Sequence, residues 1–69
     1  MKIVVNGKPM EVAERLTIDG LLAHLGVKRE FTATAVNREV APRSAYGSMT
    51  LSDGDRVEIV RPMGGGSAR

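Results

Sequence analysis

Three glycines, Gly64, Gly65 and Gly66, follow a strand-like run near the end of the sequence, and Ser67, Ala68 and Arg69 follow them. Residues without side chains thread a narrow channel and adopt any φ, and a flexible run lets one terminus visit more than one partner. The reagent at such a terminus is its carboxylate. A carboxylate is a poor acyl donor until it is activated. ATP can convert it to an acyl-adenylate with AMP as leaving group, provided the carboxylate reaches a deep nucleotide site on another protein. The other candidate groups promise less. His24 is the sole histidine and sits near the end of a helical pattern, where the helix dipole favours a surface cation. Asp53 and Asp55 flank Gly54 and read as a turn, with too few oxygens in range for a metal. Ser44 and Ser48 have no histidine partner nearby for nucleophilic work. Lys8, Lys28, Arg56 and Arg61 read as solvated surface. No catalytic residue and no bound metal or cofactor is expected within the chain.

The elements that carry this tail are short. Sixty-nine residues make one small domain, and a chain of that size buries only about 60% of its unfolded-state surface. Cysteine is absent, which excludes disulfides and iron–sulfur clusters. The N-terminal "MKIVVNG" has no apolar run long enough for a signal peptide or a membrane span, so a cytoplasmic protein is expected. The net charge is +2, basic residues are scattered among acids, and Phe31 and Tyr46 are the only aromatics. A nucleic-acid binder would show a basic stripe or stacking aromatics, so none is expected as partner. "MKIVV", the hairpin signal Asn6-Gly7 and "KPMEVA" read as two strands, the second an edge strand because of Pro9. Ile18, Leu21, Leu22 and Leu25 form one stripe of a helix over 17–25, with Thr17 as cap and Gly26 as stop. "ATAVN" reads as the third strand, 42–47 as a loop, "MTL" as a short strand, "SDGD" as a turn and "RVEIVR" as the last strand. This order is that of an α+β, β-grasp (ubiquitin-like) fold: a mixed sheet of four to five strands on one short helix. The domain is 1–63 and the tail with its extension 64–69. Alternation assigns Met1, Ile3, Val5, Val57 and Ile59 to the core with the helix stripe, Val27 and Leu51. It leaves Val4 and Val60 on the opposite face, where, with Met63, they are candidates for docking a partner.

The segments "VVNGKP", "TIDGLLAHLG", "AVNREVAPRS" and "LSDGDRVEIVRPMGGG" resemble the ThiS family of sulfur carriers, within the ubiquitin-like MoaD–ThiS group, from Met1 to Gly66. The resemblance implies a protein cosubstrate rather than an enzyme. Its C-terminal glycine is adenylated by a ThiF-like adenylating enzyme that uses ATP. A sulfur donor enzyme then converts it to a thiocarboxylate, which supplies thiazole synthase in making the thiazole moiety of thiamin. Related carriers serve molybdopterin or cysteine synthesis, and a ubiquitin-like interaction module with an inert tail is a further reading. Two departures stand out. Arg38 stands where family members often have Gly after the Asn, which makes a tight turn at Asn37 less secure. Family members also stop at the glycine, whereas Ser67, Ala68 and Arg69 continue here. A carboxyl held in an amide cannot be adenylated, so the reading is that a processing protease removes these three residues and leaves Gly66, or alternatively Gly65, as the reactive end.

If the helix stripe is the core, truncating its middle leaves a cavity. Leu22→Ala is expected to cost about 2–5 kcal/mol in denaturant unfolding; a loss near zero would mean that Leu22 faces solvent.

Overall fold

The computed structural model describes residues 1–60. The expectations that fall on Arg61, Met63, Gly64, Gly65, Gly66, Ser67, Ala68 and Arg69 lie outside the described residues. The chain runs β1 (Lys2–Val5), β2 (Lys8–Glu11), α1 (Ile18–Leu25), a 3-10 turn (Arg29–Phe31), β3 (Ala33–Val36), β4 (Glu39–Val40), a second 3-10 turn (Arg43–Ala45) and β5 (Arg56–Val60). The five strands make one sheet in the order β2-β1-β5-β3-β4. The β1–β5 pair is parallel and the others antiparallel, so the last strand lies in the middle of the sheet. This is the mixed sheet on one short helix expected of a β-grasp fold.

Local chemistry explains the first half. Asn6 (φ 50) and Gly7 (φ 84) both take the left-handed conformation that a two-residue hairpin turn demands. β2 is an edge strand, where the missing amide of Pro9 breaks no ladder. The Thr17 hydroxyl accepts from the Gly20 amide at 3.0 Å and starts α1. Gly26 (φ 75) ends it: its amide donates to the Ala23 carbonyl and the Val27 amide to that of Leu22, which folds Val27 back onto the core.

Ile3, Val5, Val36 and Val57 from the sheet meet Ile18, Leu21 and Leu22 from α1, with Ala41, Tyr46 and Leu51 closing the sides. Met1, Val27 and Ile59 are half-buried against this core. Leu25 corrects the expected stripe. It is the last residue of α1 and 37% exposed, because the chain turns back at Gly26 and Val27 covers that end instead. The short strand expected at "MTL" is also corrected. Thr50 makes only an isolated bridge to Thr17, and the extra strand is Glu39–Val40.

β4 exists because the turn before it closes despite Arg38. Asn37 (φ 51) and Arg38 (φ 71) form the same kind of two-residue turn as Asn6-Gly7. Beyond β4 the edge of β3 is finished by side chains. The Thr34 amide donates to the Tyr46 hydroxyl at 3.1 Å, and Arg43 Nη2 donates to the Thr32 carbonyl at 3.2 Å. Tyr46 is therefore fully buried, which its place in a loop does not suggest.

A non-glycine residue held at φ 71 is strained. Arg38→Gly is expected to stabilise the fold by about 0.5–1 kcal/mol, after allowing for the greater unfolded-state freedom of glycine, which raises Tm by about 2–8 °C. An unchanged or lower Tm by calorimetry would mean that the turn stores no strain.

Candidate functional site

The part of the fold that bears on the tail is β5, which ends at Val60, four residues before Gly64. Two asparagines hold it. Asn37 grips its start: the Arg56 amide donates to Asn37 Oδ1 at 3.0 Å, the Asn37 amide donates to the Arg56 carbonyl at 2.7 Å, and Asn37 Nδ2 donates to Asp55 Oδ1 at 3.1 Å. Asn6 grips its end, with the Ile59 amide donating to Asn6 Oδ1 at 2.8 Å. The two acids of "SDGD" serve different elements. Asp53 Oδ1 accepts from the Lys2 amide of β1 at 2.7 Å, and Asp55 Oδ2 accepts from the Ser52 amide within the turn at 2.8 Å. Both are engaged by backbone amides, and no group of three or more His, Asp or Glu able to hold a metal occurs among the described residues.

The sheet has two different faces. Toward the helix it presents Ile3, Val5, Val57 and Val36. Away from the helix, Val60 pairs with Ala33 and Val40 pairs with Ala35, and alternation puts all four on the outer face. The two alanines are short and the valines stand on either side. Together with Glu58 they line a shallow hollow of about 100 Å³, well below the ~300 Å³ at which small-molecule sites begin. Val60 is 59% exposed and Val40 is 76% exposed, so this is an apolar surface suited to contact with another protein.

The expected docking residues are thus divided. Val60 lies in this patch. Val4 shares the outer face but pairs with Arg56 and Pro9; Arg56 is four residues before Val60, about 13 Å along the strand. Val40, Ala33 and Ala35 were missed. The signal for them was the alternation on either side of Asn37-Arg38, readable once that turn is accepted.

The remaining candidates stay apart. His24 is exposed and borders an open hollow of about 360 Å³ with Glu11, Val12, Ala13 and Leu16. Ser44 is exposed, and the Ser48 hydroxyl donates to the Ala45 carbonyl. Lys8, Lys28 and Arg56 are exposed. No helix among the described residues is long and apolar enough to cross a membrane.

Comparison with known proteins bears on the same stretch. The model of the ThiS family matches residues 3–66. A thiazole synthase of Paramagnetospirillum magneticum is 40% identical over 67 residues, which are 97% of this chain and 21% of that protein. The chain spans about a fifth of the length of the thiazole synthases it matches. The sulfur carrier protein ThiS of Escherichia coli strain K12 is 29% identical over 66 residues, 96% of this chain and 100% of that one. The crystal structure of a thiamine biosynthesis protein (ThiS) from Geobacter metallireducens superposes with a TM-score of 0.84 at 43% identity, covering 96% of this chain and 100% of that one.

Proposed function

The chain belongs to the ThiS family, and from that premise we propose that it carries sulfur for the thiazole of thiamin as a thiocarboxylate on Gly66. The observation that carries this reading is that the family match ends at Gly66, the last of the three glycines. The protein is a carrier and not a catalyst: the fold is a handle and the terminus is the reagent.

The sequence of events follows from carboxylate chemistry. The partner adenylating enzyme, ThiF-like, binds ATP. A Gly66 carboxylate oxygen attacks the α-phosphorus, and pyrophosphate leaves. A sulfide-level sulfur supplied by the donor enzyme then attacks the carbonyl carbon, so that a C–S bond forms, the C–O bond to AMP breaks and AMP leaves. The thiocarboxylate passes to thiazole synthase, and the thiazole synthases in which a similar stretch is found support that partner. Each partner needs the glycines in its own active site, so each must grip the domain elsewhere. The outer-face patch of Val60, Val40, Ala33 and Ala35 provides that grip on and beside the strand that precedes the glycines, and Met63, outside the described residues, is the further docking candidate. Ser67 follows Gly66 in the sequence, so the Gly66 carboxyl is held in an amide, and a processing protease that removes Ser67, Ala68 and Arg69 frees it. Gly65 is the alternative end, one glycine shorter.

Two experiments test this. The chain ending at Gly66, incubated with the cognate adenylating enzyme, ATP and a sulfur source, is expected to gain the mass difference between one sulfur and one oxygen in intact mass spectrometry. The chain ending at Arg69 is expected to be inert. Equal thiolation at Arg69 would overturn the processing step, and inertness of both forms would favour an interaction module with an unreactive tail.

For docking, Val60→Asp places a charge on an exposed position and is expected to change stability by less than about 0.5 kcal/mol. It is also expected to weaken the complex with the adenylating enzyme by about tenfold or more, a loss of about 1.4 kcal/mol. Unchanged binding in calorimetric titration would reduce the patch to strand-forming residues with no further role.

A further inference from the structure

The β1–β5 ladder is parallel: the Val4 amide donates to the Asp55 carbonyl and the Asn6 amide to the Val57 carbonyl, each at 2.9 Å. In a parallel ladder, a residue that donates to one carbonyl accepts from the amide two residues further along. The next rung therefore belongs to the Ile59 amide and the peptide carbonyl of Asn6. Ile59 does not donate to that carbonyl, because Asn6 is already in the turn at φ 50. The rung is made all the same: Ile59 donates at 2.8 Å to the side-chain carbonyl of the same residue. The carboxamide of Asn6 stands in for the backbone it has just turned away. Past this point β5 has a strand neighbour on one side only, through Ala33 and Val60.

We propose that the Asn6 carboxamide is a positioning residue for the reactive end of the carrier. This inference rests on the carrier reading above. Among the described residues, Asn6 holds the final rung on the side of β5 that has no strand, and so fixes the direction of Ile59 and Val60, after which the sequence runs on to the glycines. Without it, Ile59 and Val60 are held by β3 alone and open locally. A partner then meets a mixture in which only a fraction of molecules is correctly directed, and apparent affinity falls by that fraction. The acyl chemistry takes place at Gly66, seven residues beyond Ile59 in the sequence, and is unaffected once the complex has formed.

Asn also suits the turn by tolerating a positive φ, so the experiment must separate turn from rung. Asn6→Gly keeps the turn and deletes the acceptor; Asn6→Asp keeps both. Hydrogen exchange of the Ile59 and Val57 amides is measured by NMR on each full chain. Adenylation kinetics are measured with the cognate adenylating enzyme and ATP on the same variants ending at Gly66. Asn6→Gly is expected to stay folded with Val57 protected, while Ile59 exchanges about tenfold faster or more. Its KM as a substrate is expected to rise about threefold or more at unchanged kcat, and Asn6→Asp to restore both. The inference is overturned if Asn6→Gly retains wild-type Ile59 protection and KM, if kcat falls instead, or if Asn6→Asp behaves as the glycine variant. An unsubstituted chain ending at Gly66 that is never adenylated would sink the carrier reading itself, a result distinct from any difference among the variants.

Discussion

A backbone amide in a sheet needs an acceptor, and in this protein the last strand needs acceptors along both of its edges. β5 comes at the end of the fold yet lies at the centre of the sheet, so both of its edges need partners. On one side β3 pairs with residues 57–60; on the other β1 pairs only with Arg56 and Val57 and stops at the hairpin. The asparagine side chains at the two tight turns, Asn37 at the start of β5 and Asn6 near its end, supply what the strands do not. Each does so from a left-handed backbone position where asparagine is among the least strained residues. Turn geometry and strand anchoring are therefore one device, used twice.

The rest of the architecture follows from a central β5. Its inward Val57 is completely buried beneath α1, so the strand cannot shift register without exposing the core. Its outward residues are left free, and there the neighbours are small: Ala33 and Ala35 lie beside Val60 and Val40. A core that locks one face and a low apolar relief on the other make a rigid handle from which a glycine run can be presented. A domain of this size has little stability to spare, which favours building the handle from backbone bonds and a few branched side chains rather than from an elaborate site.

Much of this was readable in the sequence because it is local. Asn6-Gly7, Thr17, Gly26 and "SDGD" each specify a turn or a cap through their own side chains or backbone freedom, and the structure uses all of them as such. The parts that were not readable depend on distant residues. Tyr46 lies in a loop and is buried because its hydroxyl meets an amide twelve residues earlier. Leu25 fits the helical stripe but is exposed, since the backbone turns back at Gly26 and hands its place to Val27. β4 was hidden by Arg38, an unfavourable residue for a left-handed position, and with it went the role of Val40 in the outer patch. The glycines stand out by composition and spacing alone, and they lie outside the described residues.

A carrier differs from an enzyme in that its chemistry is completed on other proteins. Among the described residues, the histidine borders an open hollow, Ser48 donates to a backbone carbonyl and the two aspartates of "SDGD" accept from backbone amides, and β5 is the strand that precedes Gly66 in the sequence. The most direct test is to follow the sulfur. The chain ending at Gly66 is loaded with isotopically labelled sulfur, purified away from the adenylating enzyme and the donor, and mixed with thiazole synthase and its remaining substrates. The account predicts that the label appears in the thiazole product, in proportion to the loaded carrier consumed, and that the carrier returns to its carboxylate mass. A thiazole formed without label, or a loaded carrier that is left unchanged, would contradict it.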